Sequence, residues 1–487
     1  MKVVHPLFVC NNLHKPKKKV KFADYTRQLM GRELYAILEK GLQEETPVSV
    51  RLNPFKTEGG LEGGEQVPWC PWGFWLADRP AFTFDPLLHA GLYYVQEASS
   101  MFVCEAVRQC LEKGLVSKSP LLAADMCAAP GGKTTALCSA LPKGSLLFSN
   151  EPMKQRASIL KENIVKFGHP DIIVTNNYPR DYRKTGLSFD LILTDVPCSG
   201  EGMFRKDPGA VDEWSVQNVE KCWQLQRSIV EDIWPNLKPG GVLIYSTCTF
   251  NAHEDEENVQ WIADNLGADF ISLKTLPEWN ITGALIGSQP CYRFIPGRTR
   301  GEGLFMAVLR KHDKASDDKT WNSSANSTKT KKTGSDHPKW FNPNYGEFTE
   351  VEEKGIIRAI PARWSAIYNN VKKSLHIIHA GIEIGTVKGK DLVPDVSLAL
   401  STALNRSVFP QAELSYDDAI RYLRKEAVTL PLGVPRGFTL VTYQHQPLGF
   451  VKNIGNRANN LYPQEWKIKS SHIPTSASSL PCHPIVP

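Results

Sequence analysis

Long apolar runs, closely paired cysteines and a strong charge of either sign are all missing from this chain of 487 residues. No apolar stretch reaches the ~20 residues that a membrane-crossing helix requires, so no membrane association is expected. The opening MKVVHPLFVCNNLHKPKKKVKF breaks its short apolar patch at His5 and Pro6, which makes a poor secretory leader. The 11 cysteines include no C-x-x-C pair and no zinc-like spacing with histidine, so no metal site is indicated. Their odd number and apolar surroundings suit reduced thiols in a cytoplasm. Lys and Arg number 57 against 51 Asp and Glu, a net +6 that permits a polyanionic partner without requiring one.

What is present divides the chain into parts. Residues 1–20 form a basic tail carrying Lys15 and Lys17 to Lys19. Residues 21–95 read as an α+β unit. Within it, 24–45 places Met30, Leu34, Ile37 and Leu38 on one helical face, and PVSVRLNPFK (Pro47 to Lys56) is a strand stopped by Asn53-Pro54. From 96 to 311, short apolar strands (LLAADM, SLLFSNE, DIIVTNN, FDLILTD, GVLIYST, GLFMAVLRK) alternate with helical segments. That alternation predicts an α/β fold, a parallel sheet covered on both faces. Residues 312–337 are polar and poor in aliphatics, a flexible linker. The region 338–470 mixes helix and strand, with a β-rich module from about 395 to 470, and 471–487 is a tail.

The segment DMCAAPGGKTTAL (Asp125 to Leu137) joins the first strand of the α/β region to its helix. A triphosphate loop needs a glycine five places before Gly132, and Cys127 stands there. No G-x-G-x-x-G is present either. What remains is strand, glycine turn and helix, followed by the acidic Glu151 at the end of the second strand. A carboxylate at that place accepts hydrogen bonds from ribose hydroxyls, and the glycines let backbone approach a ligand. This arrangement suits S-adenosylmethionine.

Two further strands each deliver a thiol just past the carboxyl end, Cys198 in FDLILTDVPCSGEG and Cys248 in GVLIYSTCTFN. Open parallel sheets bind ligands there. Carbon 5 of a pyrimidine is a poor nucleophile until a thiolate adds to carbon 6 and makes an enamine. An acid beside it, here Asp195, assists as charge develops on the ring, and a second thiol helps the product leave. Amino-group methylation typically uses Asn/Asp-Pro-Pro-aromatic at this strand end, whereas this chain has Asp195-Val196-Pro197-Cys198.

On DMCAAPGGKTT, SNEPMKQR, LTDVPCSGEGMFRKDP and LIYSTCTFNAHEDEENV the chain resembles the Sun/Fmu family of RNA 5-methylcytosine methyltransferases, with SVRLNPFK and GLYYVQEASSM matching upstream. The resemblance implies a class I, Rossmann-like S-adenosylmethionine-dependent catalytic domain. It makes Cys248 the nucleophile and Cys198 the residue that assists release. Cofactor contacts are implied from Cys127, Ala128, Ala129, Pro130, Gly131, Gly132 and Lys133, from Glu151 and from Asp195. The family's acidic residue after the third strand is replaced by Asn176 and Asn177, and spacing favours Asn177. DNA cytosine methyltransferases use the P-C thiol instead; Glu257 to Val259 supplies their E-N-V, but their other motifs are missing.

The C-terminal region is similar to the PUA-like extension of RsmF-type small-subunit ribosomal RNA methyltransferases. That similarity implies RNA docking through Arg436, Lys452 and Arg457 with Asn456 and Asn459 nearby. Arg51, Asn53 and Lys206 are further candidate RNA contacts. The expected partner is 16S ribosomal RNA or the small ribosomal subunit, bound by a cytoplasmic monomer, with transfer RNA or a non-catalytic assembly role as alternatives.

Overall fold

The fold is a computed structural model that describes residues 21–206, 209–313, 337–470 and 479–485. Its central sheet follows from strands that are apolar on both faces. Successive residues point to opposite sides, so Ala123, Leu147, Leu191 and Ile244 join one core, and Ala124, Phe148, Ile192 and Tyr245 join the other. In chain order the strands and helices are β1 (Leu122–Asp125), α1 (Gly132–Ala140), β2 (Leu146–Asn150), α2 (Lys154–Phe167) and β3 (Ile172–Thr175). There follow β4 (Phe189–Asp195), α3 (Val216–Ile233), β5 (Leu237–Thr247) and α4 (Glu256–Leu266). The last are β6 (Ala268–Phe270), β7 (Cys291–Phe294), β8 (Leu304–Lys311) and β9 (Ile377–Ala380).

The sheet order is β6-β8-β5-β4-β1-β2-β3-β9, with β7 also paired to β8. Strands β1 to β5 are parallel, as the alternating pattern requires. The others run antiparallel, a departure from the purely parallel expectation. Strand order reverses between β1 and β4, which opens a crevice beyond their carboxyl ends.

The N-terminal helix, Phe22–Gly41, is kinked at Gly31, where φ is 75°. Phe22 packs edge-on against Phe204 and Trp214, so this helix lies against the segment that follows β4. The strand Val48–Leu52 ends where the Asn53-Pro54 turn begins.

The C-terminal region is less separate than its sequence suggests. Strand β9 extends the central sheet beside β3, and Tyr368 and Val371 pack into one of its faces. Strands Gly437–Tyr443 and Gln446–Asn453 share a core with Val50, Leu52 and Phe74 of the N-terminal unit. Part of the expected tail is also structural, because Cys482–Pro484 pairs with Thr57–Leu61. The basic tail (1–20) and most of the expected linker (314–336) lie outside the described residues. No helix among the described residues is long and apolar enough to cross a membrane.

Candidate active site

The glycine turn after β1 builds one side of the crevice. Gly131 sits at φ 112°, a conformation that favours glycine, and opens α1. A Cβ on Gly132 would stand 3.2 Å from the Tyr94 ring, so the start of α1 packs closely against the strand that carries Tyr94. Inside the turn Thr134 Oγ1 donates to Asp125 Oδ2 at 2.7 Å. Asp125 Oδ1 is buried without a hydrogen-bond partner among the described residues, and burial raises this carboxyl to about 7.

Glu151 closes the other side. Its side chain is buried, accepts from Met153 N at 2.9 Å and pairs with Arg156 at 3.5 Å. Burial, followed by the charges of Asp125, Asp195 and Glu151, pushes the Cys127 thiol well up. Asp125, Asp195 and Glu151 all lie near Cys127, with Asp195 paired to Lys133 and Glu151 to Arg156. The glycine turn, with Gly131 at φ 112°, and the buried Asp125 oxygen without a hydrogen-bond partner among the described residues fit the adenosyl cofactor expected from the sequence.

The two asparagines after β3 have different tasks. Asn176 turns its amide onto the carbonyls of Glu151 and Pro152. Asn177 uses Oδ1 to accept from His376 N at 2.9 Å, and its amide nitrogen has no partner among the described residues. Asn177 is the better placed to meet a ligand.

The thiols are brought together by register. Strands β4 and β5 are parallel neighbours in which Asp195 lies opposite Ser246. Cys198 lies three residues beyond Asp195 and Cys248 two beyond Ser246, and their sulfurs are 3.1 Å apart. The hydrogen bond shared by the two sulfurs, in which either can be the donor, draws Cys248 down although burial and the Asp195 charge oppose it; the same bond, with burial, raises Cys198 well above an ordinary thiol. That direction agrees with the nucleophile role expected of Cys248.

Lys133 enters this group, although the sequence placed it only in the cofactor turn. Its Nζ donates to Asp195 Oδ2 at 2.8 Å, while Ser246 Oγ donates to Asp195 Oδ1 at 2.8 Å. Burial pulls the Lys133 ammonium down, but the charge and hydrogen bond of Asp195 outweigh it and the net shift is upward. Asp195 accepts on both oxygens, so Lys133 stands beside the expected acid as a second candidate donor in this constellation.

A buried network behind the sulfurs was not legible as functional in the sequence. Glu201, wholly buried, accepts from Trp214 Nε1 at 2.9 Å, Phe250 N at 2.7 Å and Asn251 Nδ2 at 3.1 Å. Glu254 accepts from Ser199 N at 3.0 Å, Gln226 Nε2 at 2.7 Å and Asn251 Nδ2 at 2.7 Å. Gly202 N also donates to Cys248 O at 2.7 Å. The loops bearing the two thiols are therefore tied to each other by carboxylate, amide and backbone. The one signal in sequence was acidic residues three places beyond Cys198 and six beyond Cys248.

The expected RNA contacts separate into two groups. Arg51 is 1% exposed, with Nε on Gln96 at 2.8 Å and Nη2 on Thr135 at 2.5 Å. Asn53 is 2% exposed and donates to the carbonyls of Gly91 and Phe167, both at 2.9 Å. Neither faces RNA: both join the N-terminal unit to the catalytic domain, because buried backbone and hydroxyl groups there need donors. Lys206, Arg436 and Arg457 are exposed. Lys452 is half-buried and pairs with Asp391 at 2.7 Å.

Comparison with known proteins adds independent findings. Residues 118–310 match the family model described as 16S rRNA methyltransferase RsmB/F. Residues 19–98 match the N-terminal domain of 16S rRNA methyltransferase RsmF, and 409–468 match the methyltransferase RsmF PUA domain. Ribosomal RNA small subunit methyltransferase F of Cronobacter sakazakii is 31% identical over 428 residues, covering 82% of this chain and 84% of that protein. Its counterpart from Aliivibrio fischeri is 32% identical over 433 residues, covering 82% and 85%. A crystal structure of a methyltransferase homolog from Pyrococcus horikoshii is 28% identical with a TM-score of 0.51, covering 60% of this chain and 94% of that one. With its methyltransferase domain and both flanking domains matched, and relatives more than 30% identical over most of its length, this chain belongs to the RsmF family of 16S ribosomal RNA methyltransferases.

Proposed function

We propose that this chain methylates carbon 5 of a cytosine in 16S ribosomal RNA through a covalent bond from Cys248 to carbon 6 of that ring. The observation that carries the reading is the pair of sulfurs 3.1 Å apart beside the Lys133–Asp195 ion pair. S-adenosylmethionine, when bound, supplies an electrophilic methyl carbon. The turn Cys127 to Lys133, Glu151, Asn177 and Asp195 are the residues that would hold it.

Cys248, held as the more acidic thiol by the Cys198 hydrogen bond, adds to carbon 6. Lys133 is the donor available to the ring as negative charge develops, and Asp195 fixes its position. Carbon 5 becomes nucleophilic and takes the methyl group as its bond to the donor sulfonium breaks, leaving a neutral thioether. Loss of the carbon 5 proton to solvent water restores the ring double bond and expels Cys248 as the thiolate. Cys198, which retains its proton, stands next to the departing sulfur and stabilises it.

A stacked cytosine hides carbon 6, so the substrate base must be unpaired or turned out, at a cost of a few kcal/mol. The exposed Arg436 and Arg457 support docking of RNA by the C-terminal module, and the protein acts as a cytoplasmic monomer. The test is bisulfite sequencing of 16S ribosomal RNA, free and in small subunits, after incubation with the protein and S-adenosylmethionine. Protection of one cytosine, lost in Cys248→Ala, is the expected result. Methyl incorporation that leaves every cytosine sensitive to bisulfite would refute the reading.

A further inference from the structure

A second concave site lies at the other end of α2 from Glu151. It is a cleft of about 540 Å³ bordered by three parts of the chain: the N-terminal unit, the segment 342–407 and the C-terminal β-module. Its lining includes Lys56, Arg406 and Gln446, and no Asp or Glu. Helix α2, 14 residues long, separates it by roughly 20 Å from the crevice of the cofactor turn.

The polar groups there are incompletely matched. Lys56 is buried and its Nζ donates to two carbonyls, Ala90 O at 2.8 Å and Lys166 O at 2.7 Å. An ammonium has three N–H groups, so one is left over. Arg406 donates Nη1 to His445 O at 2.9 Å and Nη2 to Gln446 Oε1 at 3.2 Å, and its Nε has no partner among the described residues. Neither cation is paired with a carboxylate among the described residues. Gln446 is 1% exposed, and its Nε2 is buried without any partner among the described residues. Because Oε1 already accepts from Arg406, the amide is oriented with its donor end unsatisfied.

An unmatched buried donor costs about 1–3 kcal/mol, and two like charges share this space. Burial and then the Arg406 charge push the Lys56 ammonium well down. All of these penalties have one sign, and one kind of ligand relieves them together.

We propose that this cleft is a binding site for a phosphate group, held by Lys56, Arg406 and the free amide hydrogens of Gln446. Guanidinium, ammonium and amide donors lining one cleft without a competing carboxylate match the several acceptor oxygens of a phosphate. Two sources share that chemistry, a backbone phosphate of bound RNA outside the catalytic crevice and a free phosphate compound.

The discriminating variant is Gln446→Glu. It keeps the volume and the oxygen that Arg406 uses, and replaces the free donor with an acceptor bearing negative charge. Inorganic pyrophosphate is titrated into the full chain by calorimetry, in wild type and variant, with thermal unfolding as a check on folding. Binding to wild type that weakens at least about tenfold in Gln446→Glu is expected. If RNA supplies the phosphate, pyrophosphate also competes with 16S ribosomal RNA, and the variant reduces the slope of log affinity against log salt by about one. If a free phosphate compound supplies it, pyrophosphate binding is lost while RNA affinity and its salt slope stay unchanged. No heat in wild type, or equal heat in a folded Gln446→Glu variant, overturns the proposal. The pyrophosphate arm is independent of whether any RNA is methylated.

Discussion

Replacing Glu201 with glutamine changes one atom beneath the nucleophile and tests whether the buried network sets its position. The carboxylate receives three hydrogen bonds, two on Oε1 from Trp214 and Asn251 and one on Oε2 from Phe250 N. Glutamine keeps an oxygen at only one of these places. With its oxygen toward Trp214, the new NH₂ faces the Phe250 N–H, and two donors oppose each other in a buried site. An unsatisfied buried donor costs about 1–3 kcal/mol, so a stability loss of roughly 2 kcal/mol is expected. Phe250 is two residues beyond Cys248, and relaxation of its backbone should move the sulfur. If about half of that energy is also lost from the transition state, kcat falls roughly fivefold. Urea melts followed by tryptophan fluorescence, together with single-turnover methyl transfer, measure the two effects. Wild-type stability and wild-type kcat in Glu201→Gln would refute the reasoning.

Other consequences follow from named contacts. Burial raises Glu254 to about 7 from an ordinary 4.5, so the folded protein holds this proton after the unfolded chain has released it. Its contribution to stability is greatest below the unfolded value and is lost as pH rises through about 7; Glu254→Gln should flatten the fall in stability over that window in pH-dependent melts. Arg51→Met should destabilise by about 3 kcal/mol, because Gln96 and Thr135 lose a buried donor. It should leave the salt slope of RNA binding unchanged, and a reduced slope would restore Arg51 as a phosphate contact. Gly131→Ala forces a side chain into φ 112°, at a cost of about 1–2 kcal/mol, and should weaken cofactor binding roughly tenfold by calorimetry.

The part of the site carried by local pattern was legible in the sequence. Apolar strands followed by Glu151 and Asp195 located two carboxylates, because a parallel sheet directs its strand ends to one side; nothing in the pattern singled out Asp125. The proximity of Cys198 and Cys248 followed from their strands being neighbours. Side-chain direction across the fold was less accessible. Arg51 and Asn53 looked like surface residues by type, yet the packing of the N-terminal unit on α1 and α2 leaves buried acceptors that only such donors satisfy. Lys133 read as part of a glycine turn because nothing local shows that its ammonium reaches Asp195. Strand β9 and the pairing of Cys482–Pro484 depend on distant partners and give only short, weak local signals.

The division of labour between the two sulfurs is the claim on which the rest depends. Its most direct measurement is the covalent protein–RNA adduct on denaturing gels, with 16S ribosomal RNA and S-adenosylmethionine present. Cys198→Ala should accumulate an adduct that survives denaturation, while Cys248→Ala forms none and transfers no methyl group. Adduct in Cys248→Ala and none in Cys198→Ala would contradict the account and reverse the two roles.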